Sequence, residues 1–195
     1  MAGELQLGGT TLATHTGSGA SAKINLDSGL VFPAGHVIQV KQTLKTDYFS
    51  STSQYSSWVD ITGLSVSITP SSASNKILVF VHLTGAANTT GMWIIGQVLR
   101  NSTAIGIGDS RSISARAGFG WKHLQTAGDN NAGIETGSTM VLDEPNTTSS
   151  ITYKVQACNN NDTTSGTWSI NGTINGTATY NSSSVSSITV MEIAA

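Results

Sequence analysis

The sequence predicts an all-β fold, a jelly-roll-like antiparallel β-sandwich, and three observations predict it. First, apolar and polar residues alternate with a period of two. Leu64, Val66 and Ile68 alternate with Ser65, Ser67 and Thr69, and Ile151, Tyr153, Val155 and Ala157 with Thr152, Lys154 and Gln156. A strand points successive side chains to opposite faces, so each segment reads as a half-buried strand. Second, clusters of Gly, Asn, Ser and Pro punctuate the chain at short spacing, among them the tight-turn dipeptides Asn171-Gly172 and Asn175-Gly176. Third, no stretch reads convincingly as a helix, and roughly eight to ten short strands separated by turns indicate two packed sheets.

Composition bounds the function. The chain has 195 residues, of which 38% are hydrophobic and only 10% charged, against roughly 25% charged in an ordinary soluble domain. Hydroxyls and amides carry its solubility, which suits a structural protein better than a helical cytosolic enzyme. The net charge is −2 and Arg100, Arg111, Arg116 and Lys122 are scattered, so no electrostatic footprint for nucleic acid is present. No apolar run approaches the roughly 18 residues of a membrane-spanning helix. No basic and apolar leader follows Met1, so synthesis in a cytoplasm is expected. The single Cys158 has no partner for an internal disulfide.

In chain order, residues 1–35 form an expected extended N-terminal arm and residues 36–195 the sandwich. The arm shows no strand or helix period, only the apolar points Leu5, Leu7, Leu12, Ile24, Leu26, Leu30, Val31 and Phe32. It therefore needs a surface to lie on, and Leu30-Val31-Phe32-Pro33 is its expected anchor. From 36 the β pattern begins, with Ile38, Val40 and Leu44 predicted on one face and Gln39, Lys41 and Thr43 on the other. Residues 48–57 read as a polar loop, 60–63 as a turn, and 70–75 as a loop before the strand at 76–84. Asn101-Ser102 predicts a hairpin. Residues 108–135 read as long surface loops, and further strands follow near 138–142, 151–157 and 187–193.

Three strands, 77–83, 92–99 and 188–193, are apolar on both faces. Parallel sheets cover a second apolar face with helices, and here no helices are predicted. A sandwich buries only the inner face of each sheet, so the outer face is expected to meet another chain, most simply a second copy. Leu78, Phe80, Trp93, Ile95, Met191 and Ile193 are the expected oligomer interface. The alternative is that the arm covers this face within one subunit.

No chemistry is nominated. His15, His36, His82 and His123 lack zinc-site spacing, and no nucleophile elbow or opposed carboxylate pair is recognisable. Asp143-Glu144 reads as a solvated turn, and Gly106-x-Gly108 lacks the helix of a dinucleotide site. Asp129-Asn130-Asn131 and Asn159-Asn160-Asn161-Asp162 offer oxygens but not a calcium-loop pattern. No catalytic residue, metal site or cofactor is therefore expected. His82 reads as a hydrogen-bonded core or interface residue. Tyr48, Phe49, Tyr55, Phe119 and Trp121, set among Ser, Gly and Asn, are candidates for host or glycan contact, or for rigid loops.

Residues 59–79, from Val59-Asp60-Ile61-Thr62-Gly63 to Lys76-Ile77-Leu78-Val79, resemble a segment of virion structural proteins of marine and cyanobacterial tailed phages. Leu99 to Asp109, Thr152-Tyr153-Lys154-Val155-Gln156 and Ser187 to Ala194 add to the resemblance. It implies a trimeric jelly-roll-like head domain on the outer surface of a bacteriophage virion, made in the bacterial host cytoplasm. It also implies a docking arm that uses Leu5, Leu7, Leu12, Leu30, Val31 and Phe32 against other virion proteins, the major capsid protein or tail proteins. Capsid decoration (a cement protein) is the first expectation. A short tail fibre or receptor-binding protein on host glycans is the alternative, and a carbohydrate-binding module a weaker one. No nucleic acid or membrane partner is expected.

Overall fold

The computed structural model describes residues 3–7, 9–18, 21–26, 32–55, 57–110, 115–123, 133–174 and 182–195. The chain divides into two compact units, Met1–His36 and Val37–Ala195. In the first, β1 (Gly3–Leu7), β2 (Thr10–Thr16) and β3 (Lys23–Leu26) form an antiparallel sheet in the order β1-β2-β3. The sequence reading had found no strand period here. The reason is that Thr10, Thr11, Thr14 and Thr16 supply β propensity without an apolar alternation to reveal it.

The second unit is a jelly-roll-like antiparallel β-sandwich. Its strands are β4 (Val37–Lys45), β5 (Phe49–Ser51), β6 (Val59–Ile68), β7 (Lys76–Ala87), β8 (Trp93–Arg100), β9 (Thr103–Ile105), β10 (Phe119–Lys122), β11 (Glu135–Asp143), β12 (Ile151–Asn159), β13 (Trp168–Ile170) and β14 (Ser186–Ile193). One sheet runs β10-β8-β12-β6 with β9 on β8. The other runs β4-β14-β7-β13-β5 with β11 on β7. All these strand pairings are antiparallel.

The core lies between the sheets. From one come Ile61, Leu64, Val66, Ile68, Ile94, Val98, Ile151, Tyr153 and Val155; from the other, Ile77, Val79, Val81, Leu83, Trp168, Ile170, Ile188 and Val190. Each fully buried aliphatic or aromatic side chain contributes about 1.5–3 kcal/mol, so this cluster holds the sandwich closed. The predicted hairpin is present: β8 and β9 meet at Arg100↔Thr103. Asn101 takes the left-handed conformation that such a two-residue turn requires, at φ 53°.

Three local readings are corrected. Residues 60–63 are not a turn but part of the first half of β6. The pairing with β12 jumps from Lys154↔Ser65 to Gln156↔Asp60, so extra residues bulge out of β6 at Gly63, φ 81°. The bulge resets the alternation and lets both Ile61 and Leu64 point inward although they are three apart. Residues 119–122 are not a loop but β10, paired with β8. Gly96 and Gly137 make room there: a Cβ at Gly137 would lie 2.7 Å from the Trp121 ring, and one at Gly96 would overlap the Phe119 ring. Residues 49–51 form β5 rather than part of a loop, paired with β13.

Gly63→Ala is expected to destabilise the protein by about 1–2 kcal/mol, the cost of a left-handed conformation for a residue with a Cβ. The nearest atom to such a Cβ is Lys45 Nζ at 3.7 Å, an ordinary contact, so the loss is in the backbone. Gly63→Asn should lose less, because asparagine tolerates this region. Urea midpoints of the two variants check the order, and equal midpoints would refute the bulge.

Candidate functional site

Register places the side chains of β11, β7, β14 and β4 in rows on the outer face of their sheet. One row reads Leu142, Leu78, Met191, Val40. The next reads Met140, Phe80, Thr189, Gln42, and the third Ser138, His82, Ser187, Leu44. Cross-strand neighbours on one face stand about 4.5–5.5 Å apart, so the first row, Met140 and Phe80 make one contiguous apolar patch. Its members remain accessible: Met140 is 64% exposed, Leu142 53%, Val40 52% and Phe80 42%. At the end of this face Ile193 pairs with Lys76, whose ammonium is held by Glu144 at 2.7 Å.

The patch gathers three of the expected interface residues, Leu78, Phe80 and Met191, with Ile193 at its margin. It does not include Trp93 and Ile95, which lie on the opposite sheet. It adds Val40, Met140 and Leu142. The alternation in β4 is legible in the sequence, which leaves open which of its faces is the inner one. Val40 and Leu44 point out, while Gln39, Thr43 and Lys45 face the interior, where Lys45 is buried. A period of two shows that one face differs from the other, not which one is inside. The partner strand settles it: Met191 opposite Val40 is outward because Val190 is in the core.

The other outer face has a polar centre. Gln97 donates to Gln156 at 2.9 Å, Gln156 donates to Asp60 at 2.7 Å, and Lys154 reaches Asp60 at 2.8 Å. The hydrogen bond from Lys154 is the main cause that holds the Asp60 carboxyl below its ordinary range. Trp93, at the edge, lies under the Lys122 ammonium at 5.7 Å.

Of the aromatic candidates, Phe119 and Trp121 sit on β10 and pack against the core. Phe49 also packs there, tilted against Trp168 with ring centres 5.7 Å apart. Only Tyr48 and Tyr55 stand exposed. In the first unit Leu5 and Leu7 are exposed on β1 and Leu12 is half-buried on β2. Phe32 stacks on His36 at 4.5 Å. Leu30 and Val31 lie outside the described residues, as do Asp129, Asn130 and Asn131. In the other asparagine-rich loop two of the oxygens are already engaged: Asn159 Oδ1 accepts from the amides of Trp93 and Asn161, and Asn161 Oδ1 from those of Thr163 and Thr164, while the buried Asn160 Oδ1 has no hydrogen-bond partner among the described residues. Among the described residues no group of three or more His, Cys, Asp or Glu side chains converges as a metal site. No helix among them is long and apolar enough to cross a membrane.

The buried polar groups are clamps. Asp143, at the end of β11, accepts from Arg100 at 2.9 and 3.1 Å and from the Tyr153 hydroxyl at 2.7 Å. Both donors come from the opposite sheet, so this cluster ties the two layers. Burial, reinforced by the Asp143 hydrogen bond, pushes the Tyr153 hydroxyl well above its ordinary range and keeps it a neutral donor. Asn171, at φ 67°, donates to the carbonyls of Lys45 and Asp47 and accepts from Ser186, fastening the ends of three strands.

Glu192 on β14 is fully buried without an ammonium or guanidinium partner. It accepts from Gln39 at 2.6 Å, Asn75 at 2.6 Å, and the amide and hydroxyl of Ser71 at 2.7 and 2.8 Å. Burial raises its proton affinity, but these donors together outweigh burial and hold the carboxyl below its ordinary value. A depressed folded-state value stabilises the fold at pH above the ordinary glutamate range, and that contribution is lost as pH falls through the folded-state value. Glu192→Gln turns an amide donor toward groups that themselves donate and is expected to cost about 2–4 kcal/mol at neutral pH. The deficit should shrink in acid, where the parent loses the same contribution. Denaturant unfolding at several pH values checks this, and a pH-independent deficit would contradict the charged cradle.

No family model matches this chain and no curated protein matches it. Solved structures of infectious bursal disease virus match: the Gt strain at TM-score 0.41 and 15% identity over 93% of this chain and 51% of that one. The Gx strain matches at 0.37 and 15% over 95% and 52%. The crystal structure of the VP2 subviral particle matches at 0.37 and 16% over 88% and 45%. The chain spans about half the length of these structures. They come from a virus other than a tailed phage, which corrects the expected membership among virion proteins of marine and cyanobacterial phages. The decoration, tail-fibre and carbohydrate-binding roles, the virion surface and the bacterial host cytoplasm are withdrawn with it.

Proposed function

We propose that this chain is a non-catalytic structural subunit that acts by associating with copies of itself through the outer face of β11, β7, β14 and β4. The observation that carries the reading is the contiguous patch of Leu142, Leu78, Met191, Val40, Met140 and Phe80 on that face. A second copy fits it better than an unlike partner. The three rows contain no Lys, Arg, Asp or Glu, and Lys76 at the end of the face is neutralised by Glu144, so two such faces meet without like-charge repulsion and offer a charged partner nothing to recognise. The opposite outer face, with its Asp60, Lys154 and glutamine network, is a poor counterpart. The contact is therefore of a face with itself, which gives a two-fold dimer rather than the trimer that the phage resemblance implied.

Magnitude decides its character. Covering the exposed half of such a side chain contributes about 1 kcal/mol. The five exposed apolar side chains Val40, Leu44, Phe80, Met140 and Leu142, counted in two copies, thus contribute about 10 kcal/mol. Two chains lose about 4–15 kcal/mol of freedom on association. The terms are of the same size, so the contact is reversible and dependent on concentration.

Sedimentation velocity over a concentration series tests it. The expected result is a mass moving from the 20.2 kDa of the chain toward twice that value. Phe80→Glu combined with Met140→Glu, both on exposed positions, should stay at the monomer mass with an unchanged circular dichroism spectrum. A parent protein that is monomeric at every concentration would overturn the proposal.

A further inference from the structure

His82 is the one titratable residue in the three rows of the outer face, and no apolar function accounts for it. It lies half-buried on β7, between Ser138 of β11 and Ser187 of β14 and one step along the strand face from Phe80. The residues that flank it on this face are neutral from every strand: Thr136, Ser138 and Met140 on β11, Ser187 and Thr189 on β14, and Phe80 and Thr84 on β7 itself. Glu135 projects from the opposite face of β11, where it bonds His123. Lys76 lies six residues along β7, roughly 20 Å at strand rise, and is held by Glu144. Among the described residues no carboxylate on this face stands ready to compensate a charge that appears at position 82.

The geometry points to a pH-controlled contact: protonation of His82 releases the self-association of the outer face. This rests on the proposed docking of that face on its own copy. Imidazoles acquire charge between about pH 8 and pH 5, above the range in which ordinary carboxylates are protonated. A neutral His82 is compatible with a face that carries no net charge. A protonated one places a cation on each copy, to be desolvated without an anion and set against a like charge across the two-fold axis. Because hydrophobic gain and association cost nearly balance, one such charge per chain is enough to separate the copies. The association constant is expected to fall at least about tenfold from about pH 7.5 to about pH 5.5.

The test is sedimentation velocity of the full chain at about pH 7.5 and about pH 5.5, with His82→Gln and His82→Lys beside the parent and circular dichroism confirming the fold in each case. His82→Gln, neutral throughout, should remain associated at both values, and His82→Lys, charged throughout, should be monomeric at both. His123 is present in all three proteins, so any effect that arises there is common to them. If the parent dissociates in acid and His82→Gln dissociates with it, the switch is not His82. If the parent stays associated at both values, there is no switch, and self-association stands. If the parent is monomeric at about pH 7.5, the docking of the face on itself fails, and this inference with it.

Discussion

β7 is apolar on both faces, and the rest of the larger unit is arranged around that constraint. Ile77, Val79, Val81 and Leu83 face the second sheet and are fully buried. Leu78 and Phe80 face the other way and find only side neighbours, Met191 and Thr189 of β14, Leu142 and Met140 of β11. A sandwich has two layers and therefore one interior. Half of the apolar surface on β7 is satisfied by folding, and the other half stays on the outer face of its sheet. Hydrophobic burial is non-directional and scales with area, so the same residue types serve both purposes. Only their position across the sheet separates core from interface.

The polar residues inside the sandwich answer a different demand. A buried carboxylate is tolerated when its lone pairs are filled, and both Glu192 and Asp143 meet that condition. Asp143 takes donors from across the sandwich and so fixes the spacing of the layers at one end. Glu192 takes its donors from β4 and from the connection between β6 and β7, and fixes a corner. Both carboxylates are held by donors of the protein itself.

Much of this was legible in the sequence, and the failures have physical causes. The alternation at 64–68 and 151–157, the run at 77–83 and the Asn101-Ser102 turn all name their structures directly, because period and turn chemistry are local. Which face of β4 points inward is not local. It depends on pairing with β14, which turns Val40 and Leu44 outward. Trp93 and Ile95 were grouped with Phe80 because each belongs to a strand apolar on both faces, but sheet membership is a matter of topology. Phe119 and Trp121 were read as loop residues because Gly118 and Gly120 surround them. Gly96 on the neighbouring strand and Gly137 on the facing sheet leave room for the rings against the core. The strands of the first unit escaped notice because hydroxyl-rich β2 has no apolar period to detect.

The scarcity of charge then acquires a consequence. Among the described residues of the larger unit, Lys45 is paired with Asp47, Lys76 with Glu144, Arg100 with Asp143 and Lys154 with Asp60. Charges engaged within the subunit contribute little to recognition outside it, and a contact made of Leu, Met, Val and Phe has no long-range attraction for salt to screen. Ionic strength is a weak control over such a surface. Changing the charge of the surface itself is a strong one, since a single unpaired cation has no nearby anion to offset the water it loses. A chain that keeps an outer face neutral thereby makes any titratable residue placed on that face the most effective site for regulating it. In this sheet that position is His82.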